Sequence, residues 1–153
     1  MPLKIENAHS WSQERMALVF PSVLLCIRRF VTEFPDEMTE EYLITEVMAG
    51  RRQLWVVYDE DKPNVALLVV ITEIKTYTPT SIKFVEMFGV GGERVREALP
   101  LIEHIEAWAE ERGAQHALLV GRFGWIPLLK DRGYSKKAVI LKKPLGGGTN
   151  GQR

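Results

Sequence analysis

Two acidic residues interrupt apolar runs that are typical of β-strands. Glu73 lies in the run Val65–Ile74, and Glu86 lies in the run Ile82–Val90. A carboxylate that points into a cleft from such a strand can act as a general base, because it can take a proton from a reacting group. The alternative is a strand face that is partly solvated. Both carboxylates are therefore candidates for chemistry.

A glycine-rich stretch, Gly89-Val90-Gly91-Gly92, superficially resembles a nucleotide-binding loop. It lacks the Gly-Lys-Ser/Thr of a phosphate-binding loop and the full dinucleotide fingerprint. Cysteine, histidine and carboxylate residues do not show metal-ligand spacing, so no metal is expected. Cys26 lies in an apolar run and is expected to pack as a small hydrophobe. His104 and His116 are expected to be surface histidines or hydrogen-bonded histidines rather than bases.

Composition narrows the classes of protein further. The 153 residues include 20 Lys+Arg and 20 Asp+Glu, so the net charge is zero and non-specific nucleic-acid binding is not expected. A hydrophobic content of 46% is typical of a folded domain. No window approaches the ~20 apolar residues of a membrane span, and the charged N-terminus does not resemble a secretory signal. The interpretation is a soluble cytoplasmic protein with one domain over residues 1–145 and a flexible glycine-rich tail over 146–153.

The N-terminal third is predicted to be helical. Ser10 or Ser12 can cap a first helix, and Pro21 is expected either to begin a second helix or to kink the first. A further helix is predicted to start at Thr39 and to end at Gly50. Two helices therefore precede the first predicted strand.

The middle of the chain changes to short runs rich in β-branched and aromatic residues. They predict strands at Leu54–Tyr58, Val65–Ile74 and Ile82–Val90. Short polar connections separate these runs. Three antiparallel strands are the simplest interpretation.

The last part of the chain alternates between helix and strand. The pattern predicts a helix over Glu97–Arg112 whose regular part begins near Ala98–Pro100, a strand at His116–Val120 covered on both faces, a helix at Trp125–Lys130 and a final strand at Ser135–Lys143. The order ααβββαβαβ includes a right-handed crossover that makes one strand pair parallel. The fold class is therefore α/β (α+β), with a mixed, mostly antiparallel sheet.

Three short segments occur in a fixed order in the second half of the chain. They are Glu106–Ala114 (EAWAEERGA), Gly121–Trp125 (GRFGW) and Arg132-Gly133-Tyr134. With the element order from Leu54 onward, they resemble the GNAT superfamily of N-acetyltransferases, and among these the small members encoded by phages and prophages. The N-terminal helices match that family only in type. The resemblance implies a GNAT-like sheet with helices on both faces.

The resemblance also implies acetyl-CoA as the cofactor. Two strands, here Ile82–Val90 and His116–Val120, would splay apart to admit the pantetheine arm, and the pyrophosphate would lie against the amides of the following helix. Gly91 and Gly92 would allow the backbone to approach the pyrophosphate closely. Arg94 and Arg96 would add charge-assisted contacts to its phosphates. The implied cofactor-binding residues are Phe88, Gly89, Val90, Gly91, Gly92, Arg94, Val95, Arg96 and Ala98.

Catalysis in the family is direct attack of an amine on the thioester. The amine must be neutral to react, so Glu86 and Glu73 would serve as the base or as part of a proton path. Tyr134 is a third catalytic candidate, and its alternative role is packing. Arg122 and Trp125 are candidates for contact with the substrate. Their alternatives are a structural salt bridge for Arg122 and packing for Trp125.

The sequence departs from the family at two places. The family's pyrophosphate pattern is Arg or Gln, two residues, Gly, one residue, and then Gly or Ala. Counted back without gaps from Trp108-Ala109, its three defined positions fall on Glu93, Arg96 and Ala98, and only Ala98 fits. The usual tyrosine proton donor falls on Leu129.

Two functions therefore remain open. One is an acetyl-CoA-dependent N-acetyltransferase that acts on a small-molecule or protein amine. The other is a catalytically degenerate GNAT-like domain with a binding or structural role, encoded by a phage. A homodimer or a phage protein is the candidate partner in either case. The location would be the cytoplasm of a bacterial host, or the virion in the second case.

Overall fold

The fold is built around a mixed five-stranded sheet. The computed structural model describes residues 2–120 and 125–146. In these residues the strands are β1 (Leu3–Asn7), β2 (Gln53–Asp59), β3 (Ala66–Tyr77), β4 (Ile82–Gly92) and β5 (Ala114–Leu119). They lie in the order β1-β2-β3-β4-β5; the first four are antiparallel and β4 pairs with β5 in parallel.

Five helices accompany the strands in the described residues. They are α1 (Gln13–Glu33), α2 (Glu40–Met48), α3 (Val95–Ala98), α4 (Ile102–Glu111) and α5 (Trp125–Leu129). Short 3-10 turns occupy Ala8–Ser10, Leu99–Leu101 and Lys130–Arg132. The predicted mixed α/β class and the parallel β4–β5 pair are confirmed.

Helix α1 passes through Pro21 without a break, so the predicted start of a second helix there is wrong. Proline costs about 3 kcal/mol inside a helix. That cost is offset by a buried face that continues on both sides of Pro21, through Val19, Val23 and Ile27. The Ser22 hydroxyl adds a link to the sheet, because it accepts the Ala66 amide at 2.8 Å.

The two faces of the sheet pack against different helices. Val56 and Ile71 belong to a core cluster that includes the buried side of α1. Neighbouring residues along a strand point to opposite faces. On the second face, Trp55 meets Trp108 of α4 edge to face, with ring centroids 5.4 Å apart. The expectation of helices on both faces is confirmed.

Helix α4 begins later than predicted. The 3-10 turn that contains Pro100 precedes it, and the regular helix starts at Ile102 rather than near Ala98–Pro100. Proline has no amide to donate into an α-helical turn, and it is tolerated in a tighter turn at the helix start.

Several predicted strand features are wrong. β1 lies in a region that was predicted to be helical. Residues 135–143 form no strand in the described chain, and Ile140 is 89% exposed. An apolar run needs a neighbouring strand to form a sheet ladder, and the described five-stranded sheet does not include residues 135–143. β5 is an edge strand in the described sheet, with His116 exposed, so it is not covered on both faces.

The chain divides into two compact units, residues 1–121 and residues 122–153. The expectation of one domain over residues 1–145 remains a prediction, and most of the predicted tail lies outside the described residues. No helix in the described chain has the length and apolar character of a membrane span.

Candidate active site

The fourth strand runs past the end of its pairing with the fifth. The parallel register runs from Lys83 opposite Ala114 to Met87 opposite Leu119, and the Val120 amide donates to the Met87 carbonyl at 3.0 Å. β4 nevertheless remains paired with β3 as far as Gly92. In the described residues, the end of β4 therefore has an edge that β5 does not cover.

A β-bulge lies where β4 leaves β5. Phe88 lies opposite Ile71 and Gly91 lies opposite Val69, so one residue of β3 faces both Gly89 and Val90. A bulge bends a strand and turns backbone groups out of the regular ladder. The bulge therefore places backbone donors and acceptors outside the regular ladder, beyond the described pairing of β4 with β5.

The turn after β4 is held in a left-handed conformation. Arg94 has φ 57° and ψ 39°, which costs a non-glycine residue roughly 1–2 kcal/mol. Its guanidinium donates to both carboxylate oxygens of Glu97, at 2.9 and 2.7 Å, and to Asp59 at 3.1 Å. The side chain is therefore paired within the chain.

These contacts appear in the protonation equilibria of all three groups. Hydrogen bonds to Glu97 and Asp59 raise the pKa of Arg94. The hydrogen bond from Arg94 lowers the pKa of Glu97. The pKa of Asp59 is lowered, first by the Asp61 amide and then by Arg94. An anion at this turn must compete with two ionised carboxylates for Arg94.

The other predicted phosphate contacts have different surroundings. Arg96 is exposed and forms no ion pair with a described residue, so its charge is available. Val95 is half-buried and Ala98 is buried. Glu93 is exposed, and one of its carboxylate oxygens lies 3.7 Å from the guanidinium of Arg29.

The two predicted catalytic carboxylates lie together. Glu73 and Glu86 are directly opposite in the β3–β4 register, and both side chains are half-buried. The Lys75 ammonium lies 2.9 Å from a Glu86 carboxylate oxygen and 4.0 Å from one of Glu73. Like charges directly opposite on a sheet repel each other, so the lysine offsets a repulsion that would otherwise destabilise the pair.

The structure adds Arg52, which sequence reasoning missed. Its side chain is only 8% exposed, with Nη2 3.4 Å from Glu73 and Nε 3.6 Å from Glu46. The guanidinium lies 4.5 Å from the centroid of the Phe88 ring and 5.5 Å from that of Tyr42. Phe88, predicted to bind cofactor, is itself buried.

The charges around Arg52 are close, but their hydrogen bonds are incomplete. Nε and Nη1 of Arg52 and Oε1 of Glu73 are buried without a hydrogen-bond partner. Buried polar groups without a hydrogen-bond partner are rare, because each one costs free energy of folding. The only sequence signal was an arginine immediately before a buried strand.

The remaining predicted site residues belong to the second unit. Tyr134 is half-buried, and its amide donates to the Leu129 carbonyl at 3.4 Å. Arg122 lies outside the described residues, and Trp125 is the first residue of α5. The catalytic role of Tyr134 and the substrate contacts of Arg122 and Trp125 stay predictions.

A second polar cluster, also missed, is structural in character. Glu6 accepts hydrogen bonds from Trp11 and Arg15 on one oxygen and from the Tyr58 hydroxyl on the other, all at 2.7 Å. Burial raises the pKa of Glu6, but these hydrogen bonds and the arginine charge outweigh burial and lower it. The cluster joins β1, α1 and β2.

Other nucleophiles and metal ligands add little. Burial raises the pKa of Cys26 to about 11, so the thiol is protonated at neutral pH. His104 and His116 are exposed, as expected. Among the described residues, no group of three or more His, Cys, Asp and Glu side chains could hold a metal ion.

No protein-family model and no curated protein sequence matches this chain. Solved structures do. A GCN5-related N-acetyltransferase from Ralstonia eutropha JMP134 aligns with a TM-score of 0.64 at 17% identity, over 95% of this chain and 99% of that one. A predicted acetyltransferase with acetyl-CoA from Clostridium acetobutylicum aligns at 0.62 and 12% identity, over 92% and 95%.

An aminoglycoside acetyltransferase from an uncultured soil metagenomic sample, in complex with sisomicin, is also similar. It aligns with a TM-score of 0.62 at 15% identity, over 94% of this chain and 96% of that one. At such identities the likeness establishes the fold alone.

Proposed function

We propose that this chain, whose fold is that of the GNAT acetyltransferases, transfers an acetyl group from acetyl-CoA to a primary amine of a small molecule. The observation that carries the proposal is the position of Glu86 on β4, just before the strand bulges and leaves β5. A general base and an uncovered backbone edge then belong to one strand.

The residues at the end of β4 fit the cofactor in part. The uncovered edge at Phe88–Val90 offers backbone hydrogen bonds to a pantetheine arm, and the glycines that follow allow close approach. Arg96 and the first-turn amides after Arg94 suit a pyrophosphate. Acetyl-CoA, when bound, supplies the thioester that the amine attacks.

The chain's own groups account for the proton. An alkylammonium has a pKa near 10.4, so it must lose a proton before it can attack a carbonyl. Glu86 takes that proton directly or through one water. Glu73 lies directly opposite Glu86 in the register and completes the carboxylate pair. A backbone amide at the bulge donates to the carbonyl oxygen as negative charge develops there. Tyr134 remains our candidate for protonating the leaving thiolate.

The neighbours support a small amine as the acceptor. The soil-sample enzyme was solved with sisomicin and is described as an aminoglycoside acetyltransferase. In this chain, the Glu73–Glu86 pair already holds one ammonium, that of Lys75. A phage origin, a cytoplasmic location and a homodimer remain predictions from the sequence.

Two observations favour the second candidate, a GNAT-like domain with a binding or structural role and no catalysis. Arg94 is paired with Asp59 and Glu97, and Glu93 stands where the family pattern has Arg or Gln. Both features reduce the positive charge available to a pyrophosphate.

Calorimetric titration with acetyl-CoA, followed by a thiol-release assay against a panel of amines, separates the two candidates. We expect saturable binding and turnover, and we expect Glu86→Gln to lower turnover about a hundredfold or more while binding is retained. Glu60→Gln, on an exposed carboxylate paired with Lys4, is the matched control. Absence of binding at millimolar acetyl-CoA would contradict the proposal.

A further inference from the structure

Lys75 brings a primary amine of the chain itself to the proposed base. Its ammonium lies 2.9 Å from Glu86, within hydrogen-bond distance. The side chain is 39% exposed, so it is reached by solvent. This is the position that an amine acceptor must occupy to lose its proton to Glu86.

The direction of the Lys75 side chain also favours its use as an amine acceptor. Lys75 lies opposite Phe84 in the β3–β4 register, yet its ammonium reaches Glu86. The side chain therefore extends along the sheet toward the uncovered end of β4. Glu86 and Phe88 share a face and are two residues apart, a separation of roughly 7 Å. The four-carbon stem of lysine is flexible enough to move within that range.

We propose that Lys75 is a self-acetylation site. The proposal rests on the proposed function, since it uses the same thioester and the same base. Glu86 takes a proton from the Lys75 ammonium, and the neutral amine nitrogen attacks the thioester carbonyl carbon. A C–N bond forms, the C–S bond breaks, and coenzyme A leaves as a thiolate that takes up the second proton released by the attacking nitrogen. The product is Nε-acetyl-Lys75.

The modification changes the charge of the site. Acetylation removes the cation that contacts both Glu73 and Glu86, and among the described residues Arg52 is then the one remaining cation in an ion pair with either carboxylate. The acetylated chain presents two carboxylates to the ammonium of an external acceptor. Self-acetylation therefore adapts the site to a cationic amine.

The test is peptide mass spectrometry of the full chain after timed incubation with acetyl-CoA. We expect one acetyl group at Lys75, added at a first-order rate that does not depend on protein concentration. Lys75→Arg keeps the positive charge and should remove this product. Glu86→Gln should lower the rate at Lys75 at least tenfold. Lys83→Arg, on β4 beside Gly113, is the control and should leave it unchanged.

Three outcomes overturn the proposal. Similar acetylation of Lys75 and other exposed lysines, also seen with acetyl phosphate and independent of Glu86, identifies a chemical background. Acetylation of an external amine with Lys75 unmodified rejects self-acetylation and leaves the proposed function standing. Failure to bind acetyl-CoA rejects both. The distribution of acetyl groups over the wild-type lysines decides the matter even if Glu86→Gln does not fold.

Discussion

Two charged regions lie beside the end of β4, and they differ in how completely their charged groups are hydrogen-bonded. On the sheet face, Arg52 is buried beside Glu73 and Glu46, with contacts of 3.4 and 3.6 Å and with polar atoms left unpartnered. In the turn after β4, Arg94 makes hydrogen bonds of 2.7 to 3.1 Å to Glu97 and Asp59. The sheet face therefore keeps buried polar atoms without hydrogen-bond partners, whereas the charged groups of the turn are hydrogen-bonded to one another.

The difference predicts which of the two regions is more sensitive to the loss of a charged partner. Ion pairs that water reaches contribute at most about 1 kcal/mol, so the paired turn can exchange partners at low cost. Removing one member of a buried pair costs about 3–5 kcal/mol, because a charge is left without compensation. The sheet face is therefore the energetically sensitive region, and the turn is the adaptable one.

The largest expected effect is on stability. Arg52→Met leaves Glu73 and Glu46 beside a buried apolar side chain, and we expect a loss of about 3 kcal/mol in the free energy of unfolding. Arg51→Met is the matched control, since Arg51 pairs with the same Glu46 but is 57% exposed. Its loss should stay below about 1 kcal/mol. Urea unfolding measures both, and equal losses would erase the contrast.

A smaller effect is expected on cofactor affinity in the turn. Arg96→Ala removes the exposed charge and should weaken acetyl-CoA binding about tenfold, near the lower end for a hydrogen bond to a charged group. Arg94→Ala should weaken it less, because that guanidinium is already shared by two carboxylates. Calorimetry at two salt concentrations compares the variants. A larger loss for Arg94→Ala would show that its carboxylates release it to the cofactor.

The smallest effect concerns pH and lies outside both regions. The pKa of Glu6 is lower in the folded chain, so its stabilisation is fully present above the ordinary glutamate pKa near 4.3 and is lost as pH falls through the folded value. Glu6→Gln should lower stability at pH 7 and flatten its decline in acid. Urea unfolding from pH 7 to pH 3 provides the measurement. An unchanged acid slope would mean that another carboxylate dominates.

The sequence predicted the strand carboxylates because their signal is local. Glu73 and Glu86 each stand in an apolar run that predicts a strand, and antiparallel pairing brings such runs together. The helix between β4 and β5 likewise predicted a parallel pair. These inferences need only neighbouring residues and general rules of chain connection.

The missed features depend on contacts between distant parts of the chain. Arg52 is enclosed by groups from α2, β3 and β4, and Arg94 meets Asp59, which lies 35 residues earlier. Strand β1 is too short to distinguish itself from the helical pattern beside it, and its identity comes from pairing with β2. The predicted strand at Ser135–Lys143 was wrong for the converse reason, since an apolar run does not specify a partner.

Amide hydrogen exchange with and without acetyl-CoA tests the central claim most directly. If the end of β4 is the cofactor edge, peptides covering residues 88–96 should gain protection, while residues 83–87, already paired with β5, should change little. Protection confined to other parts of the chain, or none at saturating acetyl-CoA, would contradict the account.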